Sequence, residues 1–373
     1  MTLNVIERRF IGINCTNYNN ILKVQIDSIS KYIKKLPNPV VSSVSKIPKD
    51  GTNVSFIAAI FKKSNKTNSS NKIFLNDDNI YLEDCTSRIN VIGIDPGKYV
   101  NGVVIGVNGH YSYLSKIPKF IVSTIFEPEY EEIPHPIIID KYKIAFISEL
   151  QINSENFDIN AANSCLKKLQ EEDISLFVMI GNIFSKNKIK TNFNKEWKIN
   201  LQISDISPVE MFTMFCSKIK CKKIIIPGKN DPVSSIFPLN PIDPILLQDI
   251  TNIISSSNPS MFYIDNCLFQ CSSGDIIKHV MKNTSLSYQE SQLSLIKWGL
   301  LSPSIPYVTQ MSSSTPISIF VNSKLPNFFI TGNSSSFNYF KYKNCNMISI
   351  PSFQQNYSSI IVDLGTGNIY ENK

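Results

Sequence analysis

Imidazole and guanidinium are scarce in this chain: three histidines (His110, His135, His279) and three arginines (Arg8, Arg9, Arg88) stand among 373 residues. So few imidazoles leave little with which to assemble a zinc or transition-metal hydrolase centre, whose ligand sets lean on histidine. So few arginines argue against bidentate reading of bases and phosphates, the task for which the guanidinium fork is best shaped. Eight cysteines (Cys15, Cys85, Cys165, Cys216, Cys221, Cys267, Cys271, Cys345) are scattered with no CxxC pair, which reads as reduced thiols and not as a disulfide framework. A zinc site drawn from Cys216, Cys221, Cys267 and Cys271 would have spacings of five and four, without the tight knuckle that structural zinc prefers. Apolar runs such as Ile137-Ile138-Ile139 and Ile224-Ile225-Ile226 are far too short to span a bilayer, so no membrane association is expected. The first nine residues reach Glu7, Arg8 and Arg9 before any apolar run forms, which reads as an intracellular chain without a secretory signal.

What is present is enough for two cores. A length of 373 residues exceeds what one hydrophobic core supports, and the 42% hydrophobic share with a mean hydropathy of −0.04 fits a soluble globular protein. The net charge of +7 is spread evenly: residues 1–140 carry 16 basic and 13 acidic side chains of the total 37 and 30, leaving 21 and 17 for the remainder. No basic stripe stands out, so weak electrostatic association with DNA is the most this charge supports.

The pattern along the chain divides it in three. Val24, Ile26, Ile29, Tyr32, Ile33 and Leu36 recur at helical spacing before Pro37 and Pro39, predicting an N-terminal helical arm over 1–45. Short β-rich runs at 54–61, 80–82, 89–93, 103–107 and 120–122, with a solvated Lys/Ser/Asn loop at 62–72, predict a small closed barrel of the OB type within 46–140. The acidic, proline-rich stretch Glu127–Pro136 reads as the connection between domains. Over 141–373 strands alternate with helices and then give way to a strand-rich tail, predicting a layered α/β domain. Within it Ser207-Pro208-Val209-Glu210 is a strong helix start, with an N-cap serine, proline in the first turn and a capping-box glutamate. Asp363-Leu364-Gly365-Thr366-Gly367 reads as a hairpin turn, and Trp298 as a core residue.

In open α/β folds chemistry sits just past the carboxyl ends of strands. Here those positions are Ser148-Glu149-Leu150-Gln151, Gly181-Asn182, Gly228-Lys229-Asn230-Asp231, Ser273-Gly274-Asp275 and Gly332-Asn333-Ser334. Their order resembles the calcineurin-like metallophosphoesterases, whose strand ends carry Asp-x-His, Gly-Asp and Gly-Asn-His-Asp or Glu and hold two metal ions. The chain departs from that pattern: Ser148 to Gln151 contain no Asp-x-His, Asn182 stands at the bridging aspartate, and Lys229 and Asn230 interrupt the third signature. The resemblance therefore implies an inactive phosphoesterase scaffold with vestigial positions Ser148, Gln151, Asn182, Gly228, Asn230, Asp231, Gly332 and Asn333, no catalytic residues, no metal and no cofactor. The glycines alone could reflect tight turns, and Asp231 and Asp275 could serve as loop caps.

Flanking segments narrow the resemblance. Pro227-Gly228-Lys229-Asn230-Asp231-Pro232 with Pro238, Pro241 and Pro244, Ser272-Ser273-Gly274-Asp275, Trp298-Gly299-Leu300-Leu301-Ser302-Pro303, Gly332-Asn333-Ser334-Ser335-Ser336-Phe337 and Ile348-Ser349-Ile350-Pro351-Ser352-Phe353 follow one another as in the B-subunits of the DNA polymerase alpha, delta and epsilon family. The Gly-Asn-x-x-Ser-Phe element resembles the delta type. Residues 56–62, 80–84 and 101–104 fall in the family's order within the barrel, and the resemblance spans about residues 6–370. The Gln-Asn that usually follows the family's Ser-Gly loop is absent. The resemblance implies a nuclear, non-catalytic scaffold in DNA replication and repair synthesis. It would bind the C-terminal metal-binding domain of the DNA polymerase delta catalytic subunit and a third subunit, reaching the sliding clamp indirectly. Two rivals remain: an active metal-dependent phosphodiesterase or exonuclease, for which the ligands are missing, and a single-stranded DNA binder stacking bases on Phe56, Tyr81, Tyr111 or Tyr113 of the barrel.

Overall fold

The computed structural model describes residues 2–6, 18–63, 79–113, 118–134, 141–185, 207–234, 236–305 and 321–373. Arg8, Arg9, Cys15, Ile137-Ile138-Ile139, His135, Pro136 and most of the 62–72 loop lie outside them. The chain divides into two compact units, one taking Arg8–Ile133 with Ile276–Leu325 and the other Met1–Glu7, Pro134–Asp275 and Pro326–Lys373.

Strand β1 (Leu3–Val5) belongs to the second unit. The barrel unit begins with α1 (Tyr18–Ser30), then β2 (Val54–Lys63), β3 (Asn79–Glu83), β4 (Arg88–Ile92), β5 (Val104–Ser112) and β6 (Lys119–Phe126). The five strands close in the order β2-β3-β4-β6-β5, with β4 and β6 parallel and the other pairs antiparallel. This is the OB-fold barrel that the spacing of short strands predicted. Alternation supplies its interior: Phe56, Ala58, Ile60, Leu82, Ile105, Val107 and Phe120 are buried together, and the rings of Phe56 and Phe120 meet edge-on at 5.2 Å. Leu22 and Ile29 of α1, with Ile33, pack on Ala59, Val104 and Leu300. The segment read as one arm over 1–45 is therefore divided: residues 3–5 form a strand of the α/β unit, and the helix is a fixed part of the barrel unit.

Residues 127–133 of the acidic stretch belong to the barrel unit. Tyr130 is buried, tilts against Tyr32 at 4.7 Å and donates to the Trp298 carbonyl at 3.2 Å, and β7 (Glu131–Glu132) follows it.

The α/β unit runs through β8 (Lys143–Ser148), α2 (Ile159–Glu171), β9 (Leu176–Ile180), α3 (Pro208–Ser217), β10 (Lys222–Ile226), β11 (Ile253–Ser255), β12 (Ser260–Ile264) and β13 (Cys267–Ser272). Next come α4 (Asp275–Asn283), α5 (Tyr288–Trp298) and β14 (Lys324–Leu325). From Ile276 onward they belong to the barrel unit, where β14 pairs with β7. Ile277, Val280, Tyr288, Leu295 and Trp298 join the barrel's core, and Trp298 lies 6.1 Å from Tyr99. Trp298 is thus a core residue as expected, but of the barrel. The boundary drawn at 141 misses this return because the helices' apolar faces reveal burial without revealing against what.

The chain then completes the α/β unit with β15 (Phe328–Ser334), β16 (Asn338–Tyr342), β17 (Cys345–Pro351), α6 (Phe353–Asn356), β18 (Ser359–Asp363) and β19 (Ile369–Asn372). Two six-stranded sheets result, β1-β12-β13-β15-β17-β16 and β11-β10-β9-β8-β18-β19. Ile144, Phe146, Val178, Ile224 and Ile226 of one interleave with Phe262, Phe269, Phe328, Ile330 and Ile348 of the other to form the inter-sheet core. The opposite face of the second sheet, through Ala145, Ile147, Phe177, Met179 and Ile225, packs on Ala162, Leu166 and Leu169 of α2 and Phe212 and Phe215 of α3. Burial on both faces explains why these parallel strands read as continuous apolar runs.

The capping box at Ser207 forms: its hydroxyl accepts from the Glu210 amide at 3.2 Å, and the Glu210 carboxylate accepts from the Ser207 amide at 2.7 Å. Asp363 caps the β18–β19 turn, its Oδ1 accepting from the amides of Gly365 (2.8 Å) and Thr366 (3.2 Å).

Candidate functional site

The parallel strands β8, β9 and β10 end at one edge of their sheet, so the loops after them are neighbours. The carboxyl end of β17 reaches the same place, since Ser148 and Ser352 form a parallel bridge. Every predicted strand-end position in the described residues lies in this region. Ser148, wholly buried, accepts through Oγ from the Asn333 amide at 2.9 Å. A Cβ on Gly332 would fall 2.2 Å from that oxygen, so only glycine permits the approach. Gln151 joins through its backbone, its amide donating to the Asn182 carbonyl at 3.0 Å.

Asn182 and Asp231 organise the centre. The Asn182 amide nitrogen donates to Glu149 Oε1 at 2.8 Å and its Oδ1 accepts from the Asn230 amide at 3.1 Å. Asp231 accepts from the Gly228 amide at 2.7 Å through Oδ2 and from the Phe184 amide at 2.9 Å through Oδ1. Burial pushes its carboxyl up to about 7, against backbone N–H donors that favour the charged form, and the neighbouring Asp275 charge raises it further. Lys229, largely exposed, pairs with Asp275 at 3.5 Å. Asp275 also accepts from the Ser273 hydroxyl at 2.9 Å, which in turn accepts from the Asn258 amide nitrogen at 2.7 Å.

The backbone is strained here. Glu149 (φ 53°), Gln151 (φ 45°), Asn182 (φ 41°) and Asn333 (φ 60°) all occupy the left-handed region. Asparagine tolerates that region, whereas glutamate and glutamine hold it at a cost of about 1 kcal/mol or more each. Such conformations cluster where a fold positions functional groups.

The two-metal centre of phosphoesterases does not fit these donors. Of the histidines, His110 lies on β5 and His279 on α4, both in the barrel unit, where His279 meets the Ser304 hydroxyl at 2.9 Å. Each strand-end carboxylate is already engaged: Glu149 by an amide, Asp231 by two backbone N–H groups, and Asp275 by a lysine and a hydroxyl. Two buried acceptors there have no hydrogen-bond partner, Asn230 Oδ1 and Asp275 Oδ1, the latter facing the Lys229 ammonium at 3.5 Å, and one amide oxygen beside one lysine-paired carboxylate oxygen does not make the ligand set of a catalytic ion. No group of three or more His, Cys, Asp or Glu converges on a common point among the described residues. The four cysteines weighed as a zinc set are parted by the sheet: Cys216 packs in the helical layer and Cys267 and Cys271 between the sheets. Burial raises the thiols of Cys216 and Cys267 to about 12.

The barrel offers little stacking surface from the four aromatics named for it. Phe56 is interior, Tyr81 is half-buried beside Phe61 (6.1 Å), Tyr111 sits edge-on to Phe120 (5.9 Å), and Tyr113 is exposed. Sequence reasoning placed Glu149 and Asp275 at strand ends without seeing their partners, and it missed Asn258. The signal for Asn258 was the Asn258-Pro259 pair, a turn former.

Fold and site together define a five-stranded OB barrel and an α/β unit of two six-stranded sheets, whose strand-end loops are tied by buried amide and carboxylate side chains. The family model of the DNA polymerase alpha/epsilon B-subunit matches residues 144–340, and that of the DNA polymerase delta subunit OB-fold domain matches residues 15–125. The chain belongs to the B-subunit family of DNA polymerases alpha and epsilon, as the ordered motifs suggested, with a delta-type barrel. No curated protein matches the chain. The solved structures that resemble it include a novel archaeal phosphodiesterase (11% identity, TM-score 0.36) and a protein of Thermus thermophilus (10% identity, TM-score 0.33). Each is covered over 98% of its length by 62% of this chain.

Proposed function

We propose that the protein is the non-catalytic B-subunit of DNA polymerase delta, acting in the nucleus to link the catalytic subunit with a third, clamp-linked subunit. The observation that carries the reading is the delta-type OB match over 15–125 followed in one chain by the B-subunit match over 144–340. The engaged carboxylates support a scaffold without hydrolysis of its own, since among the described residues no set of donors is left to position water and metal. By this reading the vestigial positions Ser148, Gln151, Asn182, Gly228, Asn230, Asp231, Gly332 and Asn333 hold loop structure, and binding energy comes from buried apolar and aromatic anchors on the partners' interfaces.

Co-expression with the C-terminal metal-binding domain of the delta catalytic subunit, followed by gel filtration, tests it. A stable complex is expected, with better solubility than the chain alone. A monodisperse monomer that ignores that domain refutes it, and manganese-dependent hydrolysis of bis-p-nitrophenyl phosphate that is lost on Asp231→Ala would restore the nuclease reading.

A further inference from the structure

We infer that Asn182 is the key of an ion-free latch tying together the loops after β8, β9 and β10, and that the latch closes because this side chain is neutral. The inference rests on the reading of the cluster as one that holds no metal. Three loops meet at one amide. Its nitrogen donates to Glu149, in the loop after β8; its oxygen accepts from the backbone of Asn230, after β10; and Asn182 itself follows β9. Both side chains of the key contact are buried, Asn182 at 2% and Glu149 at 8% exposure. A buried carboxylate needs a donor or a cation. At a metal centre an ion answers several carboxylates at once. Here Glu149 is answered by the Asn182 amide, Asp231 by the amides of Gly228 and Phe184, and Asp275 by Lys229 and Ser273.

The backbone makes the idea cleanly testable. Asn182 sits at φ 41°, a conformation asparagine and aspartate both tolerate. Asn182→Asp therefore changes neither shape nor backbone preference. It removes one donor and adds one charge, leaving two buried carboxylates at the 2.8 Å spacing now bridged by an N–H. Pairing Asn182→Asp with Glu149→Gln moves the amide to the other partner and restores one donor facing one acceptor. The carboxylate introduced after β9 can still accept from the Asn230 amide.

Thermal unfolding of the full chain decides the matter. Asn182→Asp should lower Tm by roughly 10 °C. The double variant should recover most of that loss, and the wild-type Tm should be the same in EDTA and in manganese. The latch is overturned if Asn182→Asp has no effect, or if the double variant, folded or not, is no better than Asn182→Asp alone. A wild-type Tm that rises with manganese would instead overturn the ion-free reading beneath it.

Discussion

Asp231→Asn should flatten the pH dependence of the α/β unit's stability. Asp231 is 4% exposed, and burial raises its carboxyl from 3.8 to about 7. In an unfolded chain the same group would ionise near its ordinary value, so the ionised form is the one the fold penalises. The stability this group contributes is fully present below pH 3.8 and is lost as pH rises through about 7. A gap of about three units corresponds to roughly 4 kcal/mol, of which roughly 3 kcal/mol is lost between pH 5 and 8. The asparagine does not titrate. Its amide instead turns an NH2 toward one of the two backbone donors, from Gly228 or Phe184, at a pH-independent cost of about 1–3 kcal/mol. The wild type should therefore be the more stable protein at pH 5, with its advantage shrinking or reversing by pH 8. Urea denaturation of both proteins across that range measures the gap, in which the titration of distant groups cancels. A gap of equal size at pH 5 and pH 8 would refute the reasoning.

Gly228→Ala should destabilise the same unit by roughly 3 kcal/mol, because its Cβ would fall 2.3 Å from both the backbone nitrogen and the side-chain oxygen of Asn182; urea midpoints measure the loss. Ser287→Ala should cost about 1 kcal/mol by opening the capping box in which Ser287 and Glu290 satisfy each other's backbone amides at 2.8 and 3.3 Å, as read from the same titration. Binding of labelled single strands should be weak, indifferent to sequence and steeply salt-dependent, since scattered lysines supply counterion release without readout; nanomolar affinity that survives moderate salt in an anisotropy titration would contradict it.

Most of the architecture was legible because its signals are local. Short alternating runs separated by turns marked out the barrel, and Ser207-Pro208-Val209-Glu210 marked a helix start that the hydrogen bonds bear out. The strand-end loops were legible for a related reason, since each follows an apolar run at a glycine or a polar residue. What a sequence does not carry is which loops face one another. Glu149 reads as one more charged residue after a strand until Asn182 is found 2.8 Å away across 33 residues of chain. The return of α4 and α5 to the barrel was hidden likewise: Trp298 is plainly a core residue, but its partner Tyr99 lies in another domain of the sequence reading. Leu3–Val5 is too short to show a period, and its strand exists because β12 offers it an edge.

The return of residues 276–325 also bears on how the molecule comes to be made. Tyr99 and Val100 of the barrel share a core with Leu295 and Trp298, nearly two hundred residues further along, and β7 waits for β14 across a similar span. Such contacts require closing a long loop before they reward it. During synthesis the barrel strands emerge early, yet the side chains that finish their core leave the ribosome only after the first three parallel strands of the α/β unit. An early-made fragment ending at the acidic connection would carry an incomplete core with apolar surface open to water, so the barrel is begun first and completed late.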